Sequence, residues 1–125
     1  MTESPRLVVP LQQVGLDSIR EVGGKNASLG ELIQQLGPEG VNVPGGFAVT
    51  AAAYRYTLEH RGLQPALAQL LQGLDVNDLA ALQQAGRQAR QLLLSAELPE
   101  DLAAAILSAY DAMGQGAVAV RSSAT

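Results

Sequence analysis

Residues 22–36, Val22-Gly23-Gly24-Lys25-Asn26-Ala27-Ser28-Leu29-Gly30-Glu31-Leu32-Ile33-Gln34-Gln35-Leu36, decide how the chain is read. The glycine pair marks a turn, and the residues after it have helical spacing. Leu29, Leu32, Ile33 and Leu36 recur at i, i+3, i+4 and i+7 to give one apolar stripe, which Gly37-Pro38 ends. Ser28-x-x-Glu31 has the form of a capping box, with Asn26 as a competing N-cap. Lys25, the only lysine among eight cationic residues, falls between the glycines and this helix start. A helix N-terminus already carries about half a positive charge, so an exposed cation there costs roughly 0.3–1 kcal/mol. A bound anion reverses the sign. Free backbone N–H groups, glycines that let a ligand approach and a flexible ammonium are the parts of a phosphate cradle. The spacing is not G-x-x-x-x-G-K-[ST], because Ile19 holds the first glycine position and Asn26 the last, and G-x-G-x-x-G is absent. From the residues alone, Lys25 reads either as a phosphate ligand or as a solvated turn lysine.

Working outward, residues 6–11 (RLVVPL) form a β-branched run that Pro10 confines to an edge or first strand. Val41-Asn42-Val43 alternates like a strand, Pro44-Gly45 suits the centre of a type II turn, and Phe47 to Val49 resumes an extended run. Thr50 caps a helix, Ala51 to Arg61, that Gly62 closes. Helical patterns continue to Met113. Pro65 suits a first turn before Leu67, Leu70 and Leu71; Asp75 or Asn77 caps a helix with Leu79, Leu82, Ala89 and Leu93; Pro99-Glu100-Asp101 opens one with Leu102, Ile106, Tyr110 and Met113 on one face. Gly114 and Gly116 stop the last helix, and Ala117 to Arg121 reads as a final small-residue strand. This order predicts an α+β (α/β-like) domain with a helical insert at about residues 51–113. A chain of 125 residues allows one domain. It is expected to stop inside that domain, since nothing follows Ala117–Arg121 to cover it.

Composition limits the partners. A formal charge of −4 argues against binding a phosphate backbone, which needs clustered positive charge, so any basic chemistry is local. Zero Cys excludes disulfides, thiolate metal sites and thiol nucleophiles, and suits a reducing cytoplasm. No apolar run approaches the roughly 18–20 residues that span a bilayer. The start MTESPRLVVP, with an early acid and a proline in its apolar stretch, reads poorly as a signal peptide. With aromatics at 3%, the core is expected to be Leu, Ala and Val.

Arg121 is the second candidate anion ligand. A strand over Ala117–Val120 would deliver its guanidinium to the sheet edge, where open α/β sheets bind ligands, and Ser122 and Ser123 add hydroxyls and backbone donors. The alternative is an edge charge that discourages aggregation. His60 has no triad partner at a suggestive spacing and, without Cys, makes no zinc site. Asp75/Asp78 and Glu100/Asp101 coincide with helix starts, so capping accounts for them, and Leu92-Leu93-Leu94 reads as core.

Three segments together carry a family resemblance. Val22 to Glu31, Val43-Pro44-Gly45-Gly46-Phe47-Ala48-Val49-Thr50-Ala51 with Tyr54-Arg55, and Ala119-Val120-Arg121-Ser122-Ser123-Ala124-Thr125 resemble, in order and spacing, the N-terminal nucleotide-binding region of the phosphoenolpyruvate synthase (pyruvate, water dikinase) family. Asn26-Ala27-Ser28 and Pro44-Gly45-Gly46 favour it over the similar pyruvate phosphate dikinases, rifampicin phosphotransferases and glucan water dikinases. The resemblance implies part of an ATP-grasp-like domain that binds Mg-ATP. It puts Lys25 and Arg121 on the triphosphate, with Gly23, Gly24, Ser122 and Ser123 as further candidates. It also implies a net conversion of pyruvate, ATP and water to phosphoenolpyruvate, AMP and phosphate through a phosphohistidine on another domain. The catalytic residues, Mg2+ ligands and pyruvate site are expected outside this segment, which alone is expected to be inactive. The competing expectations are a pyruvate phosphate dikinase or related phosphotransferase, or a non-catalytic nucleotide-binding module.

Overall fold

A computed structural model describes residues 6–125; the first half of the stretch MTESPRLVVP, which reads poorly as a signal peptide, lies outside the described residues. The described chain runs β1 (Val8–Pro10), two 3-10 turns (Leu11–Gln13 and Leu16–Ser18), α1 (Ile19–Val22), α2 (Gly24–Leu36), β2 (Phe47–Val49), α3 (Ala51–His60), α4 (Leu63–Leu71), α5 (Leu79–Ser95) and α6 (Glu100–Ala112). It is a helix-rich mixed α and β protein with one two-stranded sheet among the described residues. The residues group into two compact units: residues 6–55 with Glu100–Thr125, and Tyr56–Pro99.

In the first unit β1 and β2 pair antiparallel, Val8 opposite Val49, Val9 opposite Ala48 and Pro10 opposite Phe47. Leu11 N–H donates to Gly46 O at one end of the ladder and Thr50 N–H to Leu7 O at the other. The core gathers Val9, Leu11, Val14, Val22, Ala27 and Ala48, with Leu29 and Ile33 against it. Every buried hydrophobic residue among those described is Val, Leu or Ala, as the scarcity of aromatics predicts. Helix α2 approaches the 11–14 turn at Gly30, where a Cβ would lie 2.1 Å from the Val14 carbonyl oxygen. The contact face of α2 is therefore Ala27 and Gly30 flanked by Leu29 and Ile33, while Leu32, expected in the apolar stripe, is 45% exposed. Helix α6 packs on β1, and Leu102 near its start is buried.

In the second unit α4 and α5 pack together. Asp78, rather than Asp75 or Asn77, caps α5, accepting from Ala81 N–H at 3.1 Å. Asp75 instead closes a tight turn by accepting from Asn77 N–H at 2.9 Å. The leucine run 92–94 is not all core. Successive helical residues point about 100° apart, and Leu94 is 86% exposed.

Four further expectations fail. Residues 41–46 hold no strand, and Gly45 is not among the positive-φ glycines, so Pro44-Gly45 does not form a type II turn. Ala117–Arg121 is not a strand either: it has no ladder partner among the described residues, and Val120 is 91% exposed. No capping box forms at Ser28, because α2 already starts at Gly24 with Gly23 as its N-cap. Glu31 accepts from Leu16 N–H at 3.2 Å instead.

Candidate functional site

Helices α1 and α2 share one junction residue. Gly23 closes α1 by donating to Ile19 O at 2.8 Å and opens α2 by accepting from Ala27 N–H at 3.0 Å. It does so at φ 83°, ψ 165°, a backbone region nearly restricted to glycine. The Asn26 side chain ties the corner, donating Nδ2–H to Val22 O at 3.0 Å.

The first N–H groups of a helix have no partner inside it. Here the end of the sequence meets them. Gly24 N–H donates to the Ala124 carbonyl at 3.0 Å, and Asn26 N–H donates to Ser123 Oγ at 3.3 Å across a separation of 97 residues. Gly23 permits the approach, since a Cβ there would lie 2.3 Å from Ser123 Oγ and 2.5 Å from the Ser123 carbonyl oxygen. The structure thus joins the Gly23-Gly24-Lys25-Asn26 motif to Ser123-Ala124.

Lys25 is the second residue of α2 and is exposed. Arg121 is exposed two residues before Ser123, Ser122 is exposed and Ser123 is half-buried. The ion pairs among the described residues are Arg6–Glu21 and Arg61–Glu97, so Lys25 and Arg121 take part in neither. No acidic residue stands in the first turn of α2. The junction therefore adds a helix N-terminus to a neighbouring ammonium, with a guanidinium close by along the chain, and offers no carboxylate in that turn to neutralise them. That charge pattern suits phosphate oxygens. The backbone share of a cradle is limited, because two of the first three N–H groups of α2 are already bonded to Ser123 and Ala124.

The other candidates are elsewhere. His60 ends α3, exposed, with the Tyr56 ring edge-on at 5.9 Å. Among the described residues there is no group of three or more His, Cys, Asp or Glu that could hold a metal ion. A groove of about 380 Å³ beside the sheet, lined in part by Pro10, Gln12, Phe47, Ala109 and Met113, has no charged side chain in its lining and does not suit a triphosphate. No helix of the described residues is long and apolar enough to cross a membrane.

Sequence reasoning did not foresee Ala124 as a partner of α2 or Asn26 as the tie between α1 and α2. Nothing in local spacing marks a contact between residues 97 apart.

Residues 19–125 match the family described as pyruvate phosphate dikinase, AMP/ATP-binding domain. The chain is 51% identical to the phosphoenolpyruvate synthase of Synechocystis sp. over 95% of its length, 50% identical to that of Pseudomonas aeruginosa over 94%, and 40% identical to that of Escherichia coli over 98%. It spans 16%, 15% and 16% of these relatives, respectively.

Proposed function

The chain belongs to the pyruvate phosphate dikinase AMP/ATP-binding domain family, and from that membership we propose that it supplies phosphate contacts for ATP as the N-terminal part of a phosphoenolpyruvate synthase. The whole enzyme converts pyruvate, ATP and water to phosphoenolpyruvate, AMP and phosphate in the cytoplasm. The domain is ATP-grasp-like, with the helices of about residues 51–113 as an insert. Its pyruvate site, its phosphohistidine and its Mg2+ ligands belong to the rest of the enzyme, and the segment alone is inactive.

The observation that carries this reading is the junction of the two family motifs through Gly24 N–H to Ala124 O and Asn26 N–H to Ser123 Oγ. Phosphoryl transfer depends mainly on positioning and on neutralising charge over the phosphate oxygens. In this role Lys25 provides a mobile point charge and Arg121 a planar fork that pairs with two oxygens at once. Gly23 and Gly24 keep the junction open and close-fitting, and Ser122 and Ser123 lie on the segment that carries Arg121. With the protein at its natural full length, ATP titration should show affinity falling about tenfold or more for Lys25→Ala and for Arg121→Ala, as for loss of a charge-assisted contact. Unchanged affinity and turnover in both variants would remove the assignment.

A further inference from the structure

Ser123 is the point at which the two candidate cations become mechanically connected. Its Oγ accepts from Asn26 N–H at 3.3 Å, and the next residue's carbonyl accepts from Gly24 N–H at 3.0 Å. Two bonds from consecutive residues to amides two positions apart fix both the place and the direction of a chain, whereas one would let it pivot. Lys25 lies between the two bonded amides. Arg121 is two residues upstream of Ser123, and two residues of chain reach at most about 7 Å. Long flexible cations are brought to one ligand more efficiently when their backbones are already held, because less freedom is lost on binding. The fit at Gly23 has the same sense: the hydroxyl occupies the space a side chain would take, so residue 23 can only be glycine while Ser123 stays there.

We propose that Ser123 is a positioning residue whose hydroxyl, together with the Ala124 carbonyl, holds the Arg121 segment against the start of α2 so that Lys25 and Arg121 address the same triphosphate. This rests on the reading of those two cations as ATP contacts. Ser123 itself acts through the backbone and need not touch the nucleotide. Ser122, exposed and one residue closer to Arg121, has no such bond to α2.

The test uses the protein at its natural full length, with ATP affinity measured by titration and peptide-level hydrogen exchange over residues 22–30. Ser123→Ala should weaken ATP about three- to tenfold, the range for one lost hydrogen bond, and speed exchange in that peptide. Ser123→Thr keeps the hydroxyl and should restore both. Faster exchange with unchanged ATP affinity in Ser123→Ala, while Lys25→Ala still weakens binding, overturns the positioning role and leaves the ATP reading standing. Failure of Ser123→Thr to restore affinity overturns the role of the hydroxyl. Unchanged affinity in both Lys25→Ala and Arg121→Ala, or no ATP binding by the unsubstituted protein, overturns both readings. Should Ser123→Ala not fold, Ser123→Thr against Ser123→Cys makes the same comparison, since a thiol is a weak hydrogen-bonding group.

Discussion

At Gly23 two demands meet that neighbouring glycines do not share. Its φ of 83° disfavours any Cβ, and the Cβ of an alanine would in addition fall 2.3 Å from Ser123 Oγ and 2.6 Å from the Ser123 carbonyl carbon. Gly24 has nothing within 4 Å of its Cβ position and begins α2 without a positive φ. Gly23→Ala should therefore cost roughly 2 kcal/mol or more, combining backbone strain of about 1–3 kcal/mol with displacement of the 122–125 segment. Gly24→Ala should fall within about 0.5 kcal/mol of the parent in denaturant unfolding. Equal losses in the two variants would show that the packing of Ser123 on the junction contributes nothing. From sequence the glycine pair was legible as a turn before a helix, and Lys25 as an electrostatic oddity. The reason for the first glycine was not legible, since it lies at the far end of the chain. A glycine that looked suited to admitting a ligand admits Ser123.

Helices were read well where their stop and start signals are local. Thr50 accepts from Ala53 N–H at 3.2 Å and caps α3, Gly62 follows α3 at φ 63°, and Glu100 opens α6 where the Pro99-Glu100-Asp101 signal placed it. Strands were read poorly because a strand exists only through its partner. Val41–Val43 alternates and Ala117–Arg121 is a small-residue apolar run, but neither has a ladder among the described residues, whereas Phe47–Val49 has one with β1. Helix caps fail in the same way when the cap arrives from afar: Ser123 and Ala124 serve α2 in place of the Ser28 box. Thr50 shows how one side chain can join strand to helix. It is 2% exposed, its Oγ1–H donates to Arg6 O at 2.6 Å, and its N–H donates to Leu7 O at 3.0 Å. Thr50→Val keeps the shape and removes the hydrogen bonds of the hydroxyl, so unfolding stability should fall by about 1–3 kcal/mol, while Thr50→Ser should lose less than about 1 kcal/mol. A loss in Thr50→Val no larger than in Thr50→Ser would mean that the hydroxyl is dispensable and the methyl packing matters.

On the scale of the whole molecule, a modest apolar fraction is divided unevenly. Residues 6–55 with 100–125 hold the contiguous core of Val9, Leu11, Val14, Val22, Ala27 and Ala48 and the buried Leu102. Tyr56–Pro99 buries only Leu58, Leu63 and Ala85 among its described hydrophobic residues, and large apolar side chains are exposed in both units. The division was not legible in hydrophobic counts, because spacing shows which helix face is apolar and not whether a partner covers it. Burial of apolar area is the main favourable term in folding, so the free energy of local opening follows the density of buried contacts. Native-state hydrogen exchange should therefore find amides within α4 and α5 opening at least about tenfold more readily than those within α2, a gap of roughly 1.4 kcal/mol. The candidate phosphate junction belongs to the better-packed unit, which is where a preorganised pair of cations has to be held. Exchange in α2 as fast as in α4 and α5 would contradict this ordering and with it the view that the junction is rigid before ATP arrives.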